Sequence, residues 1–247
     1  MARVHAAAIV DGRAELADDV VVGPYAVVEA GAVVGPGCVL HAHAMVRSGA
    51  TLGARNAVYP FAVVGGEPQV KRGAAGPARV EAGEGNVFRE HVTVHGGTEG
   101  RATRIGGGNL FMVGAHVAHD VAVGSHCVLA NAVQLAGHAV VDDWVTFGGL
   151  SGVTQHVRVG ESAFVAAAAA CERDVPPFVV VQGDRARVRG VNVVGLRRRG
   201  VPEASVRALE RAVHRLWGSR ATRAEALRSL AAERDEYVRR LLRAVGT

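Results

Sequence analysis

Aliphatic residues recur at every sixth position from Val10 to Val64: Val10, Leu16, Val22, Val28, Val34, Leu40, Val46, Leu52, Val58 and Val64. The beat resumes at Ile105 and runs through Phe111, Val117, Val123, Leu129, Leu135, Val141, Phe147, Val153, Val159 and Val165 to Cys171. A helix repeats near 3.6 residues and an alternating strand near 2, so neither gives a period of six. The pattern predicts a solenoid, a hexapeptide β-helix in which three hexads close one triangular coil of about 18 residues. The aliphatic residue points into the prism. The residue two before it is usually small (Ala8, Ala14, Ala26, Ala32, Ala44, Ala50, Ala62), as a narrow interior requires. Glycine often follows the apolar position, as at Gly23, Gly35, Gly53, Gly65, Gly106, Gly124 and Gly160. There it is read as a corner residue using its freedom in φ.

Two breaks interrupt the hexads, one near residues 66–78 and one near 96–103. Between them Ala82, Phe88 and Val94 keep a weaker beat. Loops inserted into a solenoid leave from one side and commonly carry function. After Cys171 the register stops at Asp174-Val-Pro-Pro-Phe178, whose paired prolines cannot continue a hydrogen-bonded ladder. From Pro202, placed in a first helical turn, Val206, Leu209, Val213 and Leu216 form an apolar helical stripe. Thr222 with Glu225 reads as a capping box for a second helix carrying Leu227, Leu230 and Ala231. Tyr237, Val238, Leu241, Leu242 and Val245 continue that apolar face. Residues 1–184 are therefore assigned to the β-helix, and 185–247 to a connecting segment and a C-terminal helical domain that covers an end or edge of the solenoid.

Composition refines this picture in three places. Hydrophobic residues make up 49% of the chain but aromatics only 4%, which suits a thin core of valine, alanine and leucine ladders. The net charge of +5 conceals a basic tail: from Arg185 onward there are 16 arginines against 6 acidic residues. Most of these belong on a solvated helical surface, and together they can form a docking face for an acidic partner or a phosphate group. Nucleic acid is not indicated, because aromatics are scarce and no recognised binding motif occurs. No signal peptide or bilayer-length apolar run is visible, and Cys38, Cys127 and Cys171 fall on interior columns as free thiols. Both features point to a reducing cytoplasm.

Histidines are the acid–base residues concentrated in the regular part. His116, His119 and Asp120 lie in Ala115–Asp120, and His138 follows in the next coil. At an 18-residue step Asp120, His138 and His156 share a column, while His119, Gly137 and Gln155 share the neighbouring one. His119 thus faces a residue with no side chain, which leaves room for a substrate and exposes an N–H that can meet an oxyanion. Asp120 can hold the imidazole in the tautomer that keeps one nitrogen basic. Read singly, His5, His41, His43, His91, His95 and His126 are exposed corner residues. No G-x-S-x-G or phosphate-binding glycine loop occurs, so direct attack by a substrate hydroxyl or amine is indicated. A competing use of the same histidines is a zinc site, as in carbonic anhydrases built on such a solenoid, although no third histidine completes a ligand set within one chain. A noncatalytic trimeric scaffold is the third reading.

The segments AHVAHD, LAGHAVVDDW, DVPPF, QGD and GVNVVGLRRRG resemble the UDP-N-acetylglucosamine 3-O-acyltransferases, over nearly the whole length. The resemblance implies a left-handed parallel β-helix and a homotrimer with active sites between subunits. It implies transfer of an acyl group, typically 3-hydroxylated, from acyl carrier protein to the glucosamine 3-hydroxyl, the first step of lipid A synthesis. It implies no cofactor beyond the carrier-protein thioester. His119 then matches the general base, Asp120 its orienting group and Gly137 the oxyanion N–H. His116 and His138 match substrate-contacting histidines, Gln69 and Lys71 residues near the sugar nucleotide, and Gln155, Asn192 and Arg198 nucleotide-side contacts. Ala167 matches the position that sets acyl length, where an alanine admits intermediate to long chains. The chain departs from the family pattern at Gln69-Val70-Lys71, which is one residue shorter than the usual Q-D-L-K and lacks its acid. It departs again at Thr154, where the family has histidine, and at Val194, where it has an acid. These changes bear on whether the acceptor is UDP-N-acetylglucosamine or a related UDP-amino sugar.

Overall fold

The computed structural model describes residues 1–71 and 78–246, so residues 72–77 of the first predicted loop lie outside the described residues. Two-residue strands such as Val21–Val22, Val27–Val28 and Val33–Val34 follow one another around three parallel sheets of a left-handed β-helix. From Val21–Val22 onward the second residue of each pair is buried, as Val22, Val28 and Val34 show, while Val4, Val10 and Leu16 of the first coil are more open. Alanines 26, 32, 44, 50 and 62 fill the narrow column before them with no solvent exposure. Cys38, Cys127 and Cys171 are buried free thiols. Burial raises all three, to about 12 for Cys127 and about 11 for Cys171.

Coils are stacked in an 18-residue register, with Val39 beside Val21 and Val140 beside Ala122. Both insertions preserve it. Thr93 pairs with Val63 across the first and His116 with Thr93 across the second, so extra residues leave as loops and the ladder closes beneath them.

Of the glycines after the apolar position, Gly65 does use its freedom, at φ 95°, but Gly23, Gly35, Gly53, Gly106, Gly124 and Gly160 have a different cause from the one the sequence suggests. Backbone with positive φ lies two residues further on, at positions such as Tyr25, Gly37 and His43. Gly35, Gly53 and Gly106 are instead places of close approach. A Cβ on Gly35 would stand 2.7 Å from the Gly53 carbonyl, and one on Gly106 would stand 2.6 Å from the Gly124 carbonyl oxygen. They form a side-chain-free seam where successive coils touch.

A second feature was not read from the sequence. The small-residue column at this corner carries buried Asn56, Asn86 and Asn109 between Cys38 and Cys127. Asn86 N–H donates to Asn56 Oδ1 at 2.9 Å, Asn109 N–H to Asn86 Oδ1 at 3.0 Å and Cys127 N–H to Asn109 Oδ1 at 2.7 Å. Each amide also caps carbonyls at the glycine seam, as Asn86 Nδ2 does for Gly106 O at 3.0 Å.

The prism ends where Val179–Gln182 joins the first sheet beside Phe164–Val165 and turns back into the antiparallel strand Arg187–Val191. Residue 184 falls in the turn of that hairpin. Among the described residues four α-helices follow: α1 (Val193–Arg198), α2 (Glu203–Val213), α3 (Arg223–Leu230) and α4 (Glu236–Val245). Pro202 is the cap residue of α2 and not its first turn, and α2 runs on through a π-helical turn, His214–Gly218. The Thr222–Glu225 capping box is present. The apolar face after it belongs to two helices, because Asp235 caps α4 by accepting the Tyr237 and Val238 N–H groups. Tyr237 meets buried Phe178 edge-on at 5.6 Å, so α4 covers the end of the prism. No helix among the described residues is long and apolar enough to cross a membrane.

Replacing Asn86 by leucine leaves the Asn109 N–H buried without an acceptor. An orphaned buried group costs about 1–3 kcal/mol. Urea denaturation of Asn86→Leu should show a loss of about that size, and an unchanged midpoint would remove the column from the stability of the fold.

Candidate active site

His119 and Asp120 stand at the corner after strand His116–Val117, where the chain turns toward Ala122–Val123 on the next sheet. Asp120 takes the left-handed corner conformation with φ 61°, as do His138 and His156 one and two coils on. This common geometry confirms the predicted column. His138 and His156 stack with ring centroids 4.6 Å apart, and His138 Nε2 lies 3.8 Å from Asp120 Oδ2. In the adjacent column a Cβ on Gly137 would stand 2.6 Å from His119 Cε1 and 2.7 Å from its Nε2. Glycine at 137 is therefore what lets the imidazole occupy its position.

His119 Nδ1 and Asp120 Oδ2 are 2.8 Å apart. With Asp120 ionised, Nδ1 carries the proton and Nε2 is left as the basic nitrogen. The Asp120 side chain is only 4% exposed. Burial pushes its carboxyl up, but hydrogen bonds from His119 and Thr98 and the charge of Arg101 outweigh burial and hold it below the usual carboxylate range. Thr98 and Arg101 come from the second inserted loop and were not foreseen. Their only trace in the sequence is that the loop interrupts the hexads one coil before the histidine.

A cavity of about 430 Å³ opens beside His119, and Gln69, His116, Gly137 and Gln155 line it with that histidine. The Gly137 N–H has no hydrogen-bond partner among the described residues. His116 Nδ1 pairs with Thr93 Oγ1 at 2.8 Å, and burial, with neighbouring His95, lowers its basicity. His138 stands just behind the cavity, also lowered by burial, against the opposing pull of Asp120. His95, predicted as a plain exposed corner residue, instead bonds the Glu67 carbonyl and meets His116 edge-on at 5.2 Å. It thereby ties the loop that carries Gln69 to the wall of the site.

The remaining predicted residues lie elsewhere. Lys71 is exposed and does not line the cavity. Ala167 is exposed at a corner near the end of the prism. Asn192 is buried and engaged at both ends of its amide: Oδ1 caps α1 at Gly195 N–H, 3.0 Å, and Nδ2 donates to Ser162 O at 2.9 Å. In this chain it holds α1 against the prism through its amide oxygen and one amide N–H. Arg197 is paired with Glu203 at 2.7 Å, while Arg199 is paired with Glu161 at 2.8 Å and covers the Trp144 ring. Arg198, between them, is exposed and has no carboxylate partner among the described residues. A larger cavity, about 690 Å³, lies between the prism end and α4 and contains none of the predicted site residues.

Ligand atoms of His119, Asp120 and His138 lie within 4.8 Å of one another, close enough for a cation. The donor set does not suit one. The two Asp120 oxygens already accept from Thr98 N–H, Thr98 Oγ1, His119 Nδ1 and the Arg101 guanidinium, so a metal would have to displace a fixed positive charge.

A histidine oriented by a carboxylate beside a free backbone N–H, with no serine or cysteine among the described residues that line the cavity, suits an acyltransferase. This replaces the hydratase and scaffold readings. Residues 174–247 match the profile of a family described as UDP-N-acetylglucosamine O-acyltransferase, domain 2. The acyl-[acyl-carrier-protein]–UDP-N-acetylglucosamine O-acyltransferase of Thiobacillus denitrificans is 46% identical, covering 96% of this chain and 93% of the relative. The enzyme of the same name from Herminiimonas arsenicoxydans is 43% identical, covering 96% and 91%. The solved structure of the Moraxella catarrhalis UDP-N-acetylglucosamine O-acyltransferase superposes with a TM-score of 0.92 at 35% identity, covering 98% of this chain and 96% of that one. The chain belongs to the UDP-N-acetylglucosamine O-acyltransferase family.

A methyl group at position 137 collides with the imidazole and not with backbone. Gly137→Ala should therefore lower acyltransferase kcat/KM by about 10²-fold, the usual cost of displacing a catalytic group by an ångström. Its unfolding midpoint should stay close to that of the parent protein. Full activity in this variant would remove Gly137 from the site.

Proposed function

We propose that the protein transfers a 3-hydroxyacyl group from acyl carrier protein to the 3-hydroxyl of UDP-N-acetylglucosamine, opening lipid A synthesis in the cytoplasm, with His119 as general base. The observation that carries this reading is the His119–Asp120 pair at 2.8 Å beside the side-chain-free Gly137. His119 Nε2 takes the proton of the sugar hydroxyl as its oxygen bonds to the thioester carbonyl carbon. The resulting oxyanion accepts the Gly137 N–H. Collapse breaks the C–S bond, and the departing thiolate takes the proton back from Nε2. The acyl group arrives already activated, so the reaction needs no cofactor. Gln69, His116 and Gln155 line the cavity on the acceptor and acyl sides. The open wall of the cavity supports a homotrimer, in which a neighbouring subunit closes each site and brings Arg198 to the nucleotide. Ala167, with its small side chain, is the residue we assign to limiting acyl length. The basic tail supports docking of an acidic carrier protein.

A positioned base contributes about 10²–10⁴-fold. His119→Ala, assayed with 3-hydroxyacyl carrier protein against UDP-N-acetylglucosamine and its 3-amino analogue, should lose turnover by that factor. Near-normal turnover by the folded variant would sink the proposal, and a parent enzyme active only with the analogue would reassign the acceptor.

Arg198→Ala should raise the KM for the nucleotide sugar about tenfold, as expected for loss of a charged hydrogen bond. Arg197→Ala, which removes an arginine already paired with Glu203, should leave that KM unchanged. Equal behaviour of the two variants would refute the distinction.

A further inference from the structure

We propose that Arg101, on the second inserted loop, is a positioning residue for the His119 base: it locks the Asp120 carboxylate and offsets its charge. The inference rests on the acyl transfer proposed above. Four donors fill the carboxylate. Oδ1 accepts from Thr98 N–H at 3.1 Å and from Arg101 Nε at 3.1 Å. Oδ2 accepts from Thr98 Oγ1 at 2.7 Å, while His119 Nδ1 lies 2.8 Å away. Arg101 governs two of these contacts, because its Nη2 also donates to Thr98 Oγ1 at 2.9 Å. A hydroxyl that accepts from the guanidinium has its single proton left for Asp120, so Arg101 sets the direction of the Thr98 hydrogen bond.

Two consequences follow for the base. With both oxygens occupied twice, Asp120 can neither rotate nor take the Nδ1 proton, so His119 is held in the tautomer whose Nε2 is unprotonated. The guanidinium also reduces the pull that a lone buried carboxylate would exert on a protonated imidazole. The charged and titratable groups facing Asp120 are His119, His138 at 3.8 Å and Arg101. His156 stacks behind His138, and Glu99 lies 3.6 Å from Arg101. Arg101 is the permanent cation among them. Its side chain is 54% exposed while Asp120 is 4% exposed, so it can be replaced without opening the core.

The test is the pH dependence of kcat/KM in the full-length enzyme, with parent protein and His119→Ala measured first. Failure of those controls would count against the acyl-transfer reading itself and is seen before any Arg101 variant is compared. Arg101→Met should lower kcat about 10- to 100-fold with both KM values within about twofold. Its acid limb should move upward by about one pH unit, because the charge opposing imidazolium formation is gone. Arg101→Lys keeps that charge and should return the limb to its parental position with part of the rate. Nitrogen-15 NMR of the His119 ring should show a proton on Nδ1 in the parent protein and a mixture of tautomers in Arg101→Met. A fall in kcat with an unmoved acid limb and a parental ring tautomer would make Arg101 a loop residue only and overturn the proposal, as would an unchanged kcat.

Discussion

Parallel hydrogen bonds between coils hold each residue above the one a full turn later, and every functional contact in the molecule depends on that register. His119 meets Gly137, and His138 meets both Asp120 and His156, because the ladder places the next coil beneath the last. Spacing alone aligns the columns, since the two-residue strands are too short to hold side chains in place by their own structure. The Gly35–Gly53–Gly106 seam is the steric side of the same constraint, because a methyl group there would force adjacent coils apart.

The two insertions divide the work at the site. The first carries Gln69 to the cavity and is tied down through the contact between His95 and the Glu67 carbonyl. The second carries Thr98 and Arg101 to the far side of Asp120. The prism supplies His119 and the Gly137 N–H, whose relative placement the ladder fixes, and the loops supply groups that surround them. This arrangement follows the general rule that a rigid scaffold positions a reactive centre while its loops vary. Between the prism and the helices, the Asn192 cap on α1 and the Arg199–Glu161 pair fix the segment that presents Arg198.

The fold was legible because a period of six has one structural solution, and the His119–Gly137 contact followed by counting. Counting could not reach what depends on loop conformation. Nothing in the spacing of Thr98 and Arg101 says that they bend back onto a carboxylate nineteen or more residues later. The seam glycines were found but assigned to backbone freedom, since close approach between coils leaves the same residue type in the sequence as a left-handed corner. The cap that Asn192 gives α1 was likewise out of reach of spacing, because an asparagine before a short helix fits a cap as well as a ligand and the Ser162 carbonyl it also binds lies 30 residues earlier. The break between α3 and α4 did have a signal, in Asp235, but the continuing apolar face obscured it.

A solenoid of near-identical coils carries a hazard that its regularity creates. Slipping one coil past its neighbour by a full turn would place valine on valine and alanine on alanine, at little apparent cost in burial. The column of Asn56, Asn86 and Asn109 removes that degeneracy. It spans both insertions, where the chain between paired strands is longest and the correct partner hardest to find. A slipped arrangement breaks the chain in which the buried N–H of one coil donates to the amide oxygen of the coil before it, and each N–H that loses its acceptor costs about 1–3 kcal/mol. The asparagines thus act as an index on an otherwise repetitive scaffold, making one threading of the coils the lowest in energy. Through it the loop bearing Arg101 arrives next to the one aspartate it serves.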